Sequence, residues 1–282
     1  GIHFYFGAEQ EFYLFTLSET GEPTKKPYDN AGYMDIAPDD RGENIRREIC
    51  LTLEQMGIYP ERSHHEQGPG QNEIDFRYSD PLTAADNAMT FQTVVKTVAG
   101  CNGLIADFSP KPLTDKPGNG FHINISAKAD DDSDYLHLII AGILEKVCDM
   151  TLFLNPLNCS YQRFGNDKAP QYISWSSENR SQLIRIPAAV GKYRRAELRS
   201  PDPTANSYFA FALLIYAGLY GIQNHLQLAE PTDIDLYKAD ADVLSKLKML
   251  PTSLRDACES ALNSEFIKQH IPTKILEIYC NR

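Results

Sequence analysis

The chain has 282 residues, of which 42% are hydrophobic and 23% charged, and a formal net charge of −11. That length supports one large or two intimate domains around a sizeable core, and the composition is that of a globular rather than a disordered protein. The acidic balance excludes nucleic acid or an anionic membrane surface as the main partner. Cys50, Cys101, Cys148, Cys159, Cys258 and Cys280 show neither C-x-x-C nor zinc-ligand spacing, and they read as reduced thiols of a cytoplasmic protein.

The first pattern is Gly7-Ala8-Glu9-Gln10-Glu11-Phe12-Tyr13-Leu14-Phe15. On a strand, Glu9, Glu11 and Tyr13 share one face while Phe12 and Leu14 share the other. Residues 18–38, rich in Gly, Pro, Asp and Thr, read as a surface excursion with a short hairpin and no chemistry of its own. Ile45, Ile49, Leu53 and Met56 recur at helical spacing and predict a helix over 44–56, stopped by Gly57. Further helices are expected over 83–99 and 135–150. The longest apolar run, 209–222, is too short to span a bilayer and predicts a buried helix. The chain begins with Gly directly on a core-strand pattern and stops in mid-pattern, so material is expected to be missing at both ends.

Three more stretches repeat the opening alternation. Over 71–78, Gln71, Glu73, Asp75 and Arg77 share a face opposite Ile74, Phe76 and Tyr78; over 121–126 the polar face is His122, Asn124 and Ser126; over 195–199 it is Arg195, Glu197 and Arg199. If these strands form one sheet, its apolar face packs on helices and its other face is a carboxylate-rich cavity rimmed by arginine. Glu9, Glu11, Glu66, Glu73 and Glu197 with His122 make an oxygen-rich set with one imidazole, which suits Mg²⁺ or Mn²⁺ better than zinc or copper. Arg163, Arg180, Arg185, Arg195 and Arg199 supply planar cationic forks for carboxylate and phosphate. Metals and arginines together suit phosphoryl transfer, whose transition state is stabilised by positioning and electrostatics. No Walker A or Rossmann glycine pattern is present.

Gly-x-Glu-x-Glu-Phe at 7–12, His64-His65-Glu66 with Gly70-Gln71-Asn72-Glu73, and Gly120-Phe121-His122 occur in that order. They are followed by Asn179-Arg180-Ser181 with Ile184-Arg185-Ile186-Pro187, and by Arg195-Ala196-Glu197-Leu198-Arg199. Together these motifs resemble the catalytic domain of the type I glutamine synthetase family. The resemblance implies an α+β fold of the glutamine synthetase/guanido kinase-like kind, a curved, mostly antiparallel sheet lining an active-site funnel with helices behind it, across 1–282. It also implies that the family's N-terminal β-grasp domain is absent. The implied reaction is ATP-dependent ligation of ammonia to the γ-carboxylate of glutamate through γ-glutamyl phosphate.

By the same resemblance, Glu11, Glu66 and Glu73 bind one metal, and Glu9, His122 and Glu197 a second. Arg163 and Arg199 hold substrate carboxylates, Gly118 lies against glutamate, and Arg180 acts on the phosphoryl group. Arg185, Lys192 and Arg195 contact nucleotide phosphates, with Phe76, Arg77, Tyr78, Asn124 and Ser126 around the nucleotide. A homo-oligomeric ring, a dodecamer when full length, is implied too, and because the β-grasp domain serves the neighbouring subunit's site, the 282-residue piece alone is expected to be inactive. Two departures bear on the substrates. Lys168 stands where the family's flap has a glutamate, leaving Asp167 as the substitute carboxylate, and Pro117 replaces a glutamate-binding asparagine. Ligation of glutamate to another amine, or a non-catalytic regulatory or structural role, therefore stands beside glutamine synthesis.

Overall fold

The structure, a computed structural model, describes residues 1–166, 169–188 and 194–281. Its centre is β1 (Ile2–Leu17), a strand long enough to serve several partners. β2 (Pro23–Pro27), β4 (Gln71–Phe76), β5 (Leu104–Asp107) and β6 (Phe121–Ala129) all pair with it, and β3 (Pro60–His65) pairs with β4. Beyond β6 lie β9 (Ala196–Leu198), β8 (Ile184–Ile186) and β7 (Trp175–Ser177). The main path among the described residues is β3-β4-β1-β6-β9-β8-β7, antiparallel except for the β7/β8 pair. The expected α+β class and mostly antiparallel sheet are therefore observed, and the expected hairpin is the pairing of Phe15 with Pro27 and Leu17 with Pro23.

Alternation decides which face is dry. Phe4, Phe6, Ala8, Phe12 and Leu14 of β1 are buried on one side, continued by Ile74 and Phe76 on β4, Ile123 and Ile125 on β6, and Ala196 and Leu198 on β9. Against that face pack α2 (Pro81–Cys101) and α4 (Ser207–Gln223): Phe6 stacks on Phe211 at 4.5 Å between centroids, and Phe91 meets Phe12 and Phe76 at 6.2 and 5.6 Å. Each such buried aromatic contributes about 1.5–3 kcal/mol. α2 starts two residues before the expected 83, because the Asp80 carboxylate accepts from the Thr83 N–H and Pro81 occupies the first turn. α4 is capped by Asn206, whose side-chain oxygen accepts from the Tyr208 and Phe209 N–H groups.

The helix after β2, α1 (Glu43–Gln55), ends at Gly57 with φ +83°, as its sequence predicts. α3 (Leu136–Leu154) runs four residues past the expected end because Leu152, Phe153 and Leu154 are still fully buried. In contrast, β4 stops at Phe76, two residues short of the predicted strand, and the 195–199 strand contracts to three residues. Toward the C-terminus lie α5 (Ala241–Leu244), α6 (Leu254–Asn263), α7 (Glu265–His270) and α8 (Thr273–Cys280).

α3 and α4 cross with their backbones nearly touching at two glycines. A Cβ on Gly142 would sit 2.1 Å from the Ala217 carbonyl oxygen, and one on Gly221 2.1 Å from that of Leu138. Neither oxygen can move without parting the helices. Gly221→Ala is therefore expected to lower stability by about 1–3 kcal/mol, read as a reduced urea midpoint at unchanged slope.

Candidate functional site

The face of the sheet opposite the core carries two rows of side chains set by strand register. In one row Arg62, Asp75, Glu9 and His122 are successive partners on β3, β4, β1 and β6. In the next, His64, Glu73 and Glu11 are partners on β3, β4 and β1, and the Glu11 N–H donates to the Gly120 carbonyl at 3.0 Å. Glu197 on β9 pairs with Asn124 of β6 and with Arg185 of β8. Glu66 follows directly after β3, its N–H bonded to the Gln71 carbonyl at 2.8 Å. Like charges thus stand directly opposite at Glu9/Asp75 and Glu11/Glu73, a pairing that destabilises a sheet unless something offsets it.

The donor atoms converge. Glu9, His122 and Glu197 can each bring one ligand atom within 4.8 Å of the others, as can Glu11, Glu73 and His122, and also His64, Glu66 and Glu73. The Glu9–His122–Glu197 trio is one of the two sets named from the sequence. The other set, Glu11, Glu66 and Glu73, is not itself one of these groups: Glu73 belongs to one with Glu11 and to another with Glu66, but Glu11 and Glu66 share none. Asp75 forms a further group with Glu9 and Glu73, and its Oδ1 is buried without a hydrogen-bond partner. Oxygen donors that repel one another, with single imidazoles among them, fit hard divalent cations.

Burial and charge act differently at the two ends. Burial, reinforced by Glu66 and Glu73, pushes the Glu11 carboxyl up to about 7, although Oε2 accepts from the Gly120 N–H at 2.7 Å and from Gln71 Nε2 at 3.1 Å. Glu73 is also raised by burial, with His64 Nε2 at 3.4 Å opposing, and Asp75 is raised well above the carboxylate range by burial and by Glu73 and Glu9. Burial would raise Glu197 too, but Arg199, His122 and Arg185 outweigh it and hold that carboxyl at about 2. Arg185 Nε donates to Glu197 Oε2 at 2.6 Å, and Arg199 bonds the other oxygen.

A cavity of about 280 Å³ opens beside this cluster, lined in part by Glu9, Asp75, Phe76, Tyr78, Asn124 and Ser126. Arg195 also lines it, its Nε donating to Asn124 Oδ1 at 2.9 Å, while Asn124 Nδ2 donates to Glu9 Oε1 at 2.7 Å. Five residues expected around a nucleotide thus share one space. Arg77 turns its side chain away onto the Tyr59 ring and to Glu61 at 3.8 Å. Arg185 and Arg199, expected on phosphate and substrate carboxylate, both engage Glu197.

Arg163 is buried on the far side. It donates to the Ser200 carbonyl at 3.0 Å, while its Nε has no protein partner. Gly118 must lack a side chain here, because a Cβ would lie 2.5 Å from the Pro110 carbonyl oxygen and 2.6 Å from Arg163 Cγ. Pro117 accepts a hydrogen bond at its carbonyl from Tyr13 at 2.7 Å. Arg180 reaches Tyr33, with NH1 at 3.5 Å from the phenol oxygen. Asp167, Lys168 and Lys192 lie outside the described residues.

Sequence reading placed Asp75 on the polar face and His64 in a motif without counting either among the metal ligands, and it did not name Tyr33 or Asp29. Two of these carried a signal: His64 stands two residues before Glu66, and Asp75 two residues after Glu73 on the same face. Tyr33 and Asp29 belong to the 18–38 excursion, from which no chemistry was expected. That expectation is corrected, because the loop returns to β3, with the Met34 N–H bonded to the His65 carbonyl at 3.0 Å and Tyr33 standing edge-on to the His64 ring at 5.7 Å.

Glu11, Glu73 and Asp75 hold protons to higher pH in the folded than in the unfolded chain, so unfolding releases protons, for Glu11 between 4.5 and about 7. Stability of the metal-free protein should therefore fall as pH rises from the ordinary carboxylate range through neutrality. Glu197 acts oppositely, its contribution being lost only as pH drops from 4.5 toward 2. Thermal melts in chelator are expected to show a lower Tm at pH 8 than at pH 5, with saturating Mn²⁺ recovering more at pH 8 because cation binding displaces fewer protons there.

Comparison with known proteins agrees with this geometry. Residues 1–282 match the family described as glutamine synthetase, catalytic domain. Glutamine synthetases of Staphylococcus aureus strain MW2 and of Staphylococcus epidermidis are each 42% identical over 293 residues, covering 99% of this chain. The chain spans 66% of the length of each of those relatives. Among solved structures, GmaS in its ADP complex is similar, with 28% identity and a TM-score of 0.87 over 99% of this chain and 68% of that one. The Plasmodium falciparum glutamine synthetase, at 21% identity and a TM-score of 0.83 over 99% of this chain and 71% of its own, shares the fold. With the motifs in order along the chain, the register that gathers them and a family match from first residue to last, this chain belongs to the glutamine synthetase family through its catalytic domain.

Proposed function

We propose that the protein ligates ammonia to the γ-carboxylate of glutamate at the expense of ATP, by way of γ-glutamyl phosphate. The observation that carries this reading is the convergence of Glu9, His122 and Glu197 beside Glu11, Glu66 and Glu73 at the mouth of the cavity holding Asn124, Ser126 and Arg195. Two divalent cations, Mg²⁺ or Mn²⁺, would be held there, one by Glu11, Glu66 and Glu73 and one by Glu9, His122 and Glu197. Their chemistry is to offset the repulsion between a carboxylate and the phosphoryl group it must attack.

The chain's own residues do the rest. Phe76, Tyr78, Asn124 and Ser126 line the nucleotide's space, with the backbone at Arg77 beside it, and Arg185, Lys192 and Arg195 meet its phosphates. Arg163, with a buried Nε that no protein group satisfies, offers a donor to a substrate carboxylate, and Arg199 a second. Gly118, whose close packing on Arg163 a side chain would break, lies against glutamate. Arg180, extended toward Tyr33, neutralises charge on the transferring phosphoryl group. Asp167 takes the place of the flap carboxylate. A cation held by Glu197 would compete with Arg185 and Arg199 for that carboxylate, leaving the two guanidinium groups for anionic groups of the substrates.

One sequence feature favours a second reading: Lys168 stands where the flap glutamate would draw ammonium in, and a lysine there repels a cation. Ligation of glutamate to another amine is the reading that change favours. A non-catalytic regulatory or structural role has no such feature in its favour. In the cell we place the protein in the cytoplasm, as a homo-oligomeric ring and a dodecamer at full length; no helix among the described residues is long and apolar enough to cross a membrane.

Phosphate release from ATP, measured on the protein purified from its own source with glutamate and a panel of amines, tests these readings. Stimulation by ammonium alone supports glutamine synthesis, stimulation by an alkylamine in preference supports the second reading, and no release with any donor sinks both. Glu73→Gln is expected to cut the stimulated rate by more than about 100-fold, with Mn²⁺ affinity falling in parallel.

A further inference from the structure

Beneath the Glu66 end of the cluster lies a buried ion pair that the reaction does not use. His65 is fully buried and Asp29 nearly so, and His65 Nε2 meets Asp29 Oδ1 at 2.9 Å while Nδ1 meets the Glu66 carbonyl oxygen at 2.6 Å. Both ring nitrogens therefore face acceptors, so the imidazole donates from each and carries its charge next to the Asp29 carboxylate. A buried charge with its partner removed is strongly unfavourable, so the pair is held closed.

Asp29 collects more than the histidine. Oδ1 also accepts from the Gly70 N–H at 2.9 Å and the Ala31 N–H at 3.4 Å, and Oδ2 from the Arg41 N–H at 3.1 Å. Gly70, at φ +68°, is pressed against β1, where a Cβ would meet the Leu14 carbonyl oxygen at 2.8 Å. The His65 carbonyl in turn accepts from the Met34 N–H at 3.0 Å. One carboxylate thus fixes both ends of the 66–70 turn and the root of the loop that carries Tyr33.

We infer that Asp29 and His65 are positioning residues that preset the Glu66 carboxylate, and the turn behind Glu73, for a divalent cation. The inference rests on the metal assignment made above. Within the turn run Glu66 N–H to the Gln71 carbonyl, Gln71 N–H to the Gly68 carbonyl at 2.9 Å, and Gly68 N–H to Gln71 Oε1 at 2.9 Å, while the Gly70 carbonyl accepts from the Leu14 N–H of β1 at 2.8 Å. Those bonds keep the turn's shape and seat its Gly70 end on β1. The Asp29–His65 pair ties the Glu66 end to the loop beneath it and so adjusts where Glu66 stands relative to Glu73. Residues that orient metal ligands in this way typically change affinity by about 10–100-fold when replaced.

The test is an Mn²⁺ titration of the full chain by electron paramagnetic resonance, run well below the melting temperature. Asp29→Asn keeps an oxygen for the Gly70 N–H but loses the charge that holds His65; Asp29→Ala removes both. Ile143→Ala, in the fully buried middle of α3 and remote from β3, is the control for loss of stability alone. Asp29→Asn is expected to weaken one class of Mn²⁺ site about tenfold or more and leave the other unchanged, with Asp29→Ala worse. Ile143→Ala should lower Tm and leave both classes intact. If Asp29→Ala does not fold, Asp29→Asn decides. Mn²⁺ affinities of Asp29→Asn within about twofold of the unsubstituted chain's, against the ~10-fold expected, would overturn the inference while the metal reading stands. Failure of the unsubstituted chain to bind Mn²⁺ would overturn the metal reading and this inference with it.

Discussion

Acidic side chains directly opposite one another on neighbouring strands are the constraint from which the rest of this molecule follows. Glu9 faces Asp75 and Glu11 faces Glu73 because β1 and β4 are locked in a single register. A shift of one residue would relieve the repulsion, but it would turn Phe6, Phe12 and Ile74 out of the core and bury the acids in their place. The hydrophobic face fixes a geometry that the polar face alone would reject. α2 and α4 press on that core face, so the helices behind the sheet hold the carboxylates together in front of it.

The electrostatic cost is distributed unevenly. At the β1/β4 side, burial drives Glu11, Glu73 and Asp75 toward the protonated form, opposed by the nearby His122, His64 and Arg62 and by the Gly120 N–H. At the β8/β9 side, Glu197 is fully ionised between Arg185 and Arg199. At one end of the cluster the carboxyls face one another; at the other, Glu197 faces two arginines.

Much of this was legible in the residues themselves. Strict alternation over 7–15, 71–76 and 121–126 marks a wet and a dry face, and an E-x-E on the wet face, repeated in kind by later strands, marks a shared site. The stop at Gly57 announces the end of its helix for a local reason. Asp29 and Tyr33 left no such trace. They lie in a stretch whose composition says only that it is irregular, and their partners, His65, Gly70 and Arg180, are 36, 41 and 147 residues away. Nothing within a few residues of Asp29 distinguishes it from an exposed turn acid.

Side-chain periodicity, cap chemistry and the presence of a metal-competent residue set were determined by the sequence alone, because each depends on neighbours within one strand or one helical turn. Which carboxylates oppose each other, which arginines Glu197 keeps, how close α3 and α4 approach at Gly142 and Gly221, and that a surface loop returns to His65 and Gly70 were decided only by the tertiary structure. Those outcomes depend on cross-strand register, backbone clearance and charge pairing between segments far apart in the chain, and such distances exist only once the core has closed.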